Sequence, residues 1–347
     1  MALEKSILTQ ESITTLLKEH YGIEVASVEK LRLGSANCYR VFDGSQFYFL
    51  KEFQSGFSGE DLTQEAQLVN FLSEHGIPVA RFLLTKSSKP YILFKDHLIC
   101  LEEYISGTTS DYDDFPKALL PEIAQMLGKL HNVLQNYSMP MDMDTAWLDS
   151  YSAEVLISQY DKLLMLAQQR TTDSNSAQII SDLEYKKALA RRCEKYKEAY
   201  TGVTYSPTHG DYQGCQLVFD DQQIKAVIDF SSARSLPVVW EVMRSYVQSS
   251  QLCRETAVID ITELCNYVRE YLKFSPLTRQ DLHAMPYVYL FQLARSKYGY
   301  TQYLETESED NRGLLQFAFW RTKMCREVES KAEAISKALT ELYTKTQ

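Results

Sequence analysis

The sequence lacks several patterns that would assign a function directly. Its seven cysteines are scattered, none forms Cys-x-x-Cys, and no histidine cluster accompanies them. Neither a zinc site nor a dithiol redox site is indicated, and reduced cysteines are expected. No apolar run approaches the roughly 18 residues that suggest a membrane span, and the first residues show no secretion signal. These features predict a cytoplasmic protein without a membrane partner.

The chain also lacks an excess of positive charge. Its 347 residues include 36 Lys and Arg against 46 Asp and Glu, which gives a formal net charge of −10. No overall field favours nucleic acid or an anionic membrane surface, so neither is expected as a partner. Hydrophobic residues make up 45% and charged residues 24%, which is ordinary for a globular protein, and the length suits one large domain or two lobes.

The first hundred residues alternate short strand-like segments with few helices. An amphipathic helix is predicted over 9–21, and apolar spacing with the stop Gly76-Ile77-Pro78 predicts a second over 62–74. Asp43-Gly44 predicts a hairpin. The strand-like segments are 25–33, 38–42, 46–53, 79–85, 91–94 and 98–104. Residues 1–105 are therefore predicted to form a small antiparallel sheet with helices.

Helical periodicity dominates the remainder of the chain. The polar stretch 106–111 is a candidate connection between two lobes. Short strand-like runs at 217–219 and 226–228 interrupt the helices. Helices are predicted at 121–134, 148–169, 177–200, 238–252, 259–272, 282–304 and 313–343. The fold class is therefore α+β, with one domain at 1–105 and a mostly helical domain at 106–347.

One block has the spacing of phosphoryl-transfer chemistry. His209-Gly210-Asp211 is followed five positions after the acid by Gln216 and, after an apolar run, by Ile228-Asp229-Phe230. In kinase-like phosphotransferases one Asp handles the acceptor hydroxyl, while an amide and a second Asp hold magnesium. Acids at turn and strand ends are common singly, but their joint spacing around an apolar hairpin favours a functional pair.

This order of motifs resembles the aminoglycoside phosphotransferase/choline kinase family, from about Leu31 to Tyr246. The resemblance implies a bilobal protein-kinase-like fold, with a small antiparallel β-sheet N-lobe and a mostly helical C-lobe. It implies a kinase that uses ATP (or GTP) and Mg²⁺ to phosphorylate a hydroxyl of a small molecule that is aminoglycoside-, choline- or sugar-like. Asp211 would be the catalytic residue, and Gln216 and Asp229 would be metal ligands.

The resemblance also assigns nucleotide-binding residues in the N-lobe. Gly34 and Ser35 match the phosphate-covering turn, and Lys51 matches the lysine that contacts the α- and β-phosphates. Glu65 would pair with Lys51 from a helix. The hinge, whose backbone would hydrogen-bond the adenine edge, would include Glu102 and Tyr104. The alternatives are an ordinary hairpin turn for Gly34 and Ser35, an edge-strand charge for Lys51 and an exposed helix face for Glu65.

Gln216 departs from the family pattern, which has Asn at this position. The longer amide is the same ligand type but costs more rotamer entropy to fix, and Mg²⁺ tolerates poor geometry badly. Three outcomes remain: an adjusted backbone restores the ligand, one metal site weakens, or the protein is a pseudokinase. The alternative function is accordingly a noncatalytic pseudokinase or scaffold protein of the same fold, similar to spore-coat relatives.

The acceptor site has acidic and aromatic candidates in the helical domain. Acids would neutralise an amine, and a tyrosine cage would hold a quaternary ammonium group by cation–π contacts. Solvated loops and a packed helix face are the alternative interpretation. The acids are Asp111, Asp113, Asp114, Glu305, Glu307, Glu309 and Asp310, and the tyrosines are Tyr287, Tyr289, Tyr298, Tyr300 and Tyr303.

Overall fold

The structure, a computed structural model, describes residues 4–31, 36–110, 117–138, 152–221, 223–306 and 311–343. The chain divides into two compact units. The first unit consists of Met1–Thr109 and Gln216–Ala233, and the second of Ser110–Cys215 and Arg234–Gln347. The predicted division at residue 105 assigns 216–233 to the helical domain, whereas the structure groups this segment with the first unit because its strands pair there.

The first unit contains a five-stranded antiparallel sheet with strand order β1-β2-β3-β5-β4. Its strands are β1 Ser27–Leu31, β2 Asn37–Phe42, β3 Phe47–Glu52, β4 Ile92–Phe94 and β5 His97–Glu103. The predicted Asp43-Gly44 hairpin joins β2 and β3, and Asp43 Oδ1 accepts hydrogen bonds from the backbone N–H groups of Ser45 and Gln46. This carboxylate fixes the turn and hence the register of both strands.

Two helices accompany this sheet, α1 Gln10–His20 and α2 Gly59–Glu74. Helix α1 buries Ile13, Leu16 and Leu17 in the same cluster as the sheet residues Leu50 and Leu101. Helix α2 begins after Ser58, whose side chain accepts a hydrogen bond from the N–H of Asp61. The Leu62 side chain of α2 packs with Phe53, Leu98 and Cys100, which anchors the helix on the sheet.

The predicted strand over 79–85 is wrong. Only isolated bridges occur there, one between Val79 and Val227 and one between Phe82 and Glu102. Each bridge joins the segment to a different strand, so no continuous ladder forms.

A second, three-stranded sheet of the first unit has the order β6-β8-β9. It consists of β6 Thr108–Thr109, β8 Leu217–Asp220 and β9 Gln223–Val227. Gly107, with φ +153°, permits this pairing, because a Cβ atom there would lie 2.4 Å from the Phe219 carbonyl oxygen. The stretch predicted as a connection thus contains a strand that pairs with the hairpin carrying the Asp229 motif.

The second unit is mostly helical, with one two-stranded sheet that pairs β7 Tyr205–Thr208 with β10 Arg234–Pro237. Its helices are α3 Leu120–Leu134, α4 Ala153–Gln169, α5 Ser176–Cys193, α6 Val238–Ser249, α7 Gln251–Thr256, α8 Ile261–Leu272, α9 Arg279–Arg295, α10 Tyr300–Glu305 and α11 Asn311–Tyr343. In the part of the chain that the structure describes, no helix is long and apolar enough to cross a membrane.

Three of the predicted helices are interrupted in the structure. The helix predicted over 177–200 ends at Cys193 and continues as a 3₁₀ segment, Glu194–Tyr200. The one predicted over 238–252 breaks at Ser250, whose side chain caps α7. The one predicted over 282–304 is two helices separated near Gly299, where φ is +90° and a Cβ atom would lie 2.3 Å from the Leu314 carbonyl oxygen. Tertiary contacts therefore interrupt sequences that are locally helical.

Candidate active site

Lys51 lies in a row of side chains that crosses three strands of the first unit. Its partners across the ladders are Cys38 of β2 and Cys100 of β5, so the three side chains share one face of the sheet. Glu102 lies two residues beyond Cys100 and therefore on the same face. The Lys51 Nζ and Glu102 Oε1 atoms are 3.1 Å apart, and the two side chains are 14% and 6% exposed. The register of β3 and β5 thus creates a nearly buried ion pair.

This pairing differs from the predicted pairing of Lys51 with Glu65. Glu65 is buried on α2 and acts on Lys51 electrostatically. Burial raises the pKa of Glu65 to about 8, against the opposing effect of Lys51. At neutral pH Glu65 is therefore mostly protonated, and the ion pair is made by Glu102. The Glu102 side chain consequently contacts Lys51 from within β5, although only its backbone was assigned to the hinge.

The carboxylates around Lys51 determine its charge state. Burial alone lowers the pKa of Lys51, but Glu102, Asp229 and Glu65 together raise it well above its ordinary value. Lys51 is therefore a stable cation. Because Asp229 contributes to this shift, the metal-binding candidate and the phosphate-binding candidate belong to one electrostatic group within the first unit.

Gln216 and Asp229 lie at the open end of the β8–β9 hairpin. Leu217 pairs with Val227, and the Ile228 N–H donates to the Gln216 carbonyl oxygen at 3.0 Å. Asp229 has φ +63°, a left-handed conformation that non-glycine residues adopt rarely and often at functional sites. Ser231 Oγ donates to Asp229 Oδ1 at 2.8 Å. Hairpin register thus places the two predicted metal ligands at adjoining positions.

The chemistry of these two side chains suits magnesium. An amide oxygen and a carboxylate are hard oxygen donors, and Mg²⁺ commonly takes one or two protein ligands together with waters and phosphate oxygens. Over the described ranges, no group of three or more His, Cys, Asp or Glu side chains could hold a metal ion. Two oxygen donors are a set that fits a metal bound together with nucleotide phosphates.

Asp211 belongs to the second unit, in a loop whose backbone is held by helix α6. Glu241 of α6 is completely buried, and it accepts hydrogen bonds from the N–H groups of His209 at 2.9 Å and Gly210 at 2.6 Å. His131 Nε2 donates to the same carboxylate at 2.9 Å. Although burial acts to raise the pKa of Glu241, the His131 hydrogen bond and the nearby imidazoles lower it below its usual value. A buried anion thus fixes the loop.

The Asp211 carboxylate is oriented by an arginine. Arg244 Nη2 of α6 donates to Asp211 Oδ1, and Arg244 Nη1 donates to the Tyr212 carbonyl oxygen at 3.4 Å. Gln213 Nε2 lies 3.4 Å from both Asp211 oxygens. The Asp211 side chain is 31% exposed, whereas that of Arg244 is 15% exposed. Asp211 is therefore both positioned and accessible.

Sequence reasoning missed Glu241 and Arg244. A signal exists, because these two charged residues lie three apart in the otherwise apolar start of α6, Val238–Ser249, and thus on one helix face. No local sequence pattern reveals that this helix face contacts the loop carrying Asp211.

Gly34, Ser35 and Tyr104 complete the set of predicted nucleotide-binding residues. Gly34 and Ser35 lie outside the described residues. Tyr104 follows β5 and is half-buried, with its ring centroid 5.7 Å from that of Phe47. Its place in the nucleotide site stays a prediction.

A sequence model described as the phosphotransferase enzyme family matches residues 27–274, which is more than half of the chain. The search of curated proteins gave no significant match. Solved structures are similar over nearly the whole chain, at identities that show the fold alone.

Three of these structures illustrate the similarity. Spectinomycin phosphotransferase APH(9)-Ia, in complex with ADP and spectinomycin, is 16% identical with a TM-score of 0.64, over 97% of this chain and 99% of that one. Amicoumacin kinase hAmiN, in complex with AMP-PNP, Ca²⁺ and Ami, is 16% identical with a TM-score of 0.61, over 93% and 94%. Plasmodium vivax ethanolamine kinase is 13% identical with a TM-score of 0.59, over 92% and 89%.

The predicted fold class is confirmed: an antiparallel sheet in the N-terminal region and a helical C-terminal region, as in kinase-like phosphotransferases. The predicted family relationship is likewise confirmed by the sequence match. The chain belongs to the phosphotransferase enzyme family.

Proposed function

We propose that this protein is a small-molecule kinase that transfers the γ-phosphoryl group of ATP (or GTP) to a hydroxyl group. The observation that carries the proposal is the constrained Asp211 carboxylate, which is oriented by Arg244 on a loop held by buried Glu241. The cationic Lys51 with Gln216 and Asp229 supports the nucleotide part. Similar structures include a phosphotransferase in complex with ADP and a kinase in complex with AMP-PNP.

The proposed reaction is an in-line transfer. The acceptor hydroxyl oxygen forms a bond to the γ-phosphorus, the bond from that phosphorus to the β–γ bridging oxygen breaks, and the nucleoside diphosphate leaves. Asp211 accepts the hydroxyl proton, and Lys51 binds oxygens of the α- and β-phosphates. Mg²⁺, when held by Gln216 and Asp229, supplies neutralisation of phosphate charge.

Arg244 has a positioning role in this reaction. Its Nη2 contact with Asp211 Oδ1 limits the rotation of the carboxylate. A fixed carboxylate can meet an acceptor hydroxyl in the geometry that proton transfer needs, without paying the full entropy of alignment at each turnover.

The test is Asp211→Asn, assayed by release of nucleoside diphosphate with aminoglycosides, amino alcohols, sugars and hydroxy acids as acceptors. We expect kcat to fall by about 10² to 10⁴-fold, the usual contribution of a positioned acid or base. The Kd for the nucleotide should stay within about twofold, since Asp211 is not assigned to nucleotide binding. Asp221→Asn is the matched control, because Asp221 is an exposed turn residue. Equal turnover by wild type and Asp211→Asn would contradict the mechanism.

One observation favours a second candidate, a noncatalytic pseudokinase or scaffold of the same fold. Gln216 replaces the family's Asn at a predicted metal ligand. The turnover assay separates the candidates, and calorimetric titration with Mg-AMP-PNP shows in addition whether a noncatalytic protein retains nucleotide binding. A scaffold would transfer no phosphate to any acceptor, whether or not it binds nucleotide.

A further inference from the structure

In the second unit, arginine and aromatic side chains lie beside Asp211. Arg244, which contacts Asp211, has its guanidinium carbon 5.8 Å from the Trp240 ring centroid. Tyr289 of α9 is buried, and although burial raises its pKa, the charges of Arg321 and Arg244 oppose that rise. Tyr289 therefore lies in the field of two guanidinium groups, one of which contacts the catalytic carboxylate.

The second guanidinium group belongs to Arg321 of α11. Arg321 Nη2 donates to Gln292 Oε1 at 3.3 Å, and its guanidinium carbon is 5.6 Å from the Phe317 ring centroid. Gln292 lies three residues after Tyr289 on α9, so both residues belong to one face of that helix. Arg244 of α6 and Arg321 of α11 thus both act on Tyr289 of α9, and the two positive charges act on one another.

Arg321 has polar and aromatic contacts but no anionic partner. Within the described ranges, no carboxylate lies within ion-pair distance of it, and its Nε atom is buried without a hydrogen-bond partner. Burial lowers the pKa of Arg321, and the neighbouring Arg244 charge acts in the same direction. A partly buried cation without a counter-charge is costly. Such a group is suited to bind an anion.

Two of the tyrosines predicted for a cationic acceptor are unsuited to that role. Tyr289 and Tyr300 are each 1% exposed, so they are core residues and cannot wall an open aromatic cage. The acids at 111–114 and 307–310 fall outside the described residues. The described surface beside Asp211 consequently offers guanidinium groups.

We propose that the phosphoryl acceptor is an anion, a small hydroxyl compound with a carboxylate or phosphate group that Arg321 binds. This inference rests on the proposed kinase function. The planar guanidinium matches an oxyanion and can bind it through two hydrogen bonds. Arg244 supports the same substrate class, because its charge offsets that of Asp211, which would otherwise repel an anionic acceptor.

The activity test uses two sets of acceptors within a wider hydroxyl library. Each set has an anionic, a neutral and a cationic member on one carbon skeleton. The first set is glycerate, glycerol and aminopropanediol, and the second is gluconate, glucitol and glucamine. We expect an anionic compound to have the highest kcat/KM. Arg321→Gln should lower that value by about tenfold or more, the usual effect of a lost charge-assisted hydrogen bond. Neutral acceptors should change little. A neutral or cationic compound as the best acceptor overturns the proposal.

Matched variants separate binding from folding. Lys323→Gln removes an exposed positive charge from the same helix and should behave as wild type. Arg321→Lys keeps the charge but loses the planar fork, so its kcat/KM for anions should fall less than that of Arg321→Gln. Thermal unfolding of every variant identifies any that lose the fold. If Arg321→Gln does not fold, Arg321→Lys is compared with wild type instead. A kcat/KM for anions in Arg321→Lys equal to that of wild type would then overturn the proposal.

Anion binding is also measured without turnover. Inorganic phosphate and gluconate are titrated calorimetrically into the nucleotide-free full chain. We expect the Kd for at least one of these anions to be about tenfold or more weaker in Arg321→Gln than in Lys323→Gln. Equal Kd values in both variants overturn the proposal. Loss of anion binding in Arg321→Gln, together with no phosphorylation of any acceptor, would retain the anion site and reject the kinase function.

Discussion

At the scale of single residues, the environment of Lys51 shows that two buried glutamates near one cation need not play the same part. Glu102 forms the ion pair at 3.1 Å, while burial raises the pKa of Glu65 to about 8. A carboxyl group that is already mostly protonated loses little when it is replaced by an amide. When a carboxylate that orients a buried ammonium group is replaced by an amide, both the negative charge and the directional contact are lost.

We therefore predict that Glu102→Gln impairs nucleotide use more than Glu65→Gln does. The KM for ATP should rise by about tenfold in Glu102→Gln, as expected for loss of a hydrogen bond to a charged group. It should rise by less than about threefold in Glu65→Gln at pH 7, because that residue holds its proton below its raised pKa. Steady-state kinetics at saturating acceptor measure both values.

Glu60→Gln is the control for this comparison, since Glu60 is exposed on the same helix as Glu65. A larger KM increase in Glu65→Gln than in Glu102→Gln would contradict the assignment of Glu102 as the partner of Lys51.

At the scale of elements, a buried lysine joins two helices of the second unit. Lys186 of α5 is 1% exposed, and its Nζ donates to the Leu293 carbonyl oxygen of α9 at 2.9 Å. Burial lowers the pKa of Lys186 from 10.5 to about 8. The charged form is therefore destabilised by folding, and the unfolded chain binds this proton more tightly than the folded chain does.

The sign of the pH dependence follows from that difference. Below pH 8 both the folded and the unfolded chain hold the Lys186 proton, so folding carries the full cost of burying the charge. Between about pH 8 and 10.5 only the unfolded chain holds the proton, so the free energy of unfolding rises with pH. We predict that Lys186→Met removes this rise. The free energy of unfolding of wild type should gain on the order of 3 kcal/mol relative to Lys186→Met across that window.

Urea denaturation at several pH values measures this difference, and subtraction of the two proteins cancels other titrating groups. Lys337→Met, which removes an exposed lysine, should follow wild type. Parallel stability curves for wild type and Lys186→Met would show that Lys186 has an ordinary pKa.

At the scale of the whole molecule, the candidate residues are distributed unevenly. The first unit contains Lys51, Glu102, Gln216 and Asp229, and the second contains Asp211. The residues predicted to bind nucleotide and metal therefore come from one unit, through segments far apart in sequence. A ligand that binds these residues only in the folded state stabilises the fold that brings the segments together.

We predict that Mg-AMP-PNP raises the thermal unfolding temperature of the full chain. At 100-fold excess over Kd the stabilisation should be about 2.7 kcal/mol. Lys51→Met should lose most of this shift, because it removes the cation assigned to the phosphates. Scanning calorimetry of each protein with and without the ligand measures the shift.

Lys95→Met, a change at an exposed lysine of the same unit, should keep the ligand-induced shift. An equal shift in Lys51→Met and Lys95→Met would exclude Lys51 from nucleotide binding.

Local patterns were sufficient to predict several elements and to select the candidate site residues. Asp43-Gly44 predicts the β2–β3 hairpin because a turn depends on neighbouring residues alone. The apolar spacing of α2 and its stop at Gly76 are similarly local. The spacing from Asp211 to Asp229 indicates phosphoryl transfer because loop and hairpin lengths are written directly in the sequence.

The partners of those residues depended on the tertiary structure. Glu102 faces Lys51 because strands distant in sequence pair in one register, and Arg244 meets Asp211 because α6 packs against a loop more than thirty residues earlier. The close approach of Gly107 to the Phe219 carbonyl oxygen likewise allows β6 to pair with the β8–β9 hairpin. Chemical groups are thus evident from the chain, whereas their charges and orientations arise from burial and non-local contacts, which no short sequence pattern encodes.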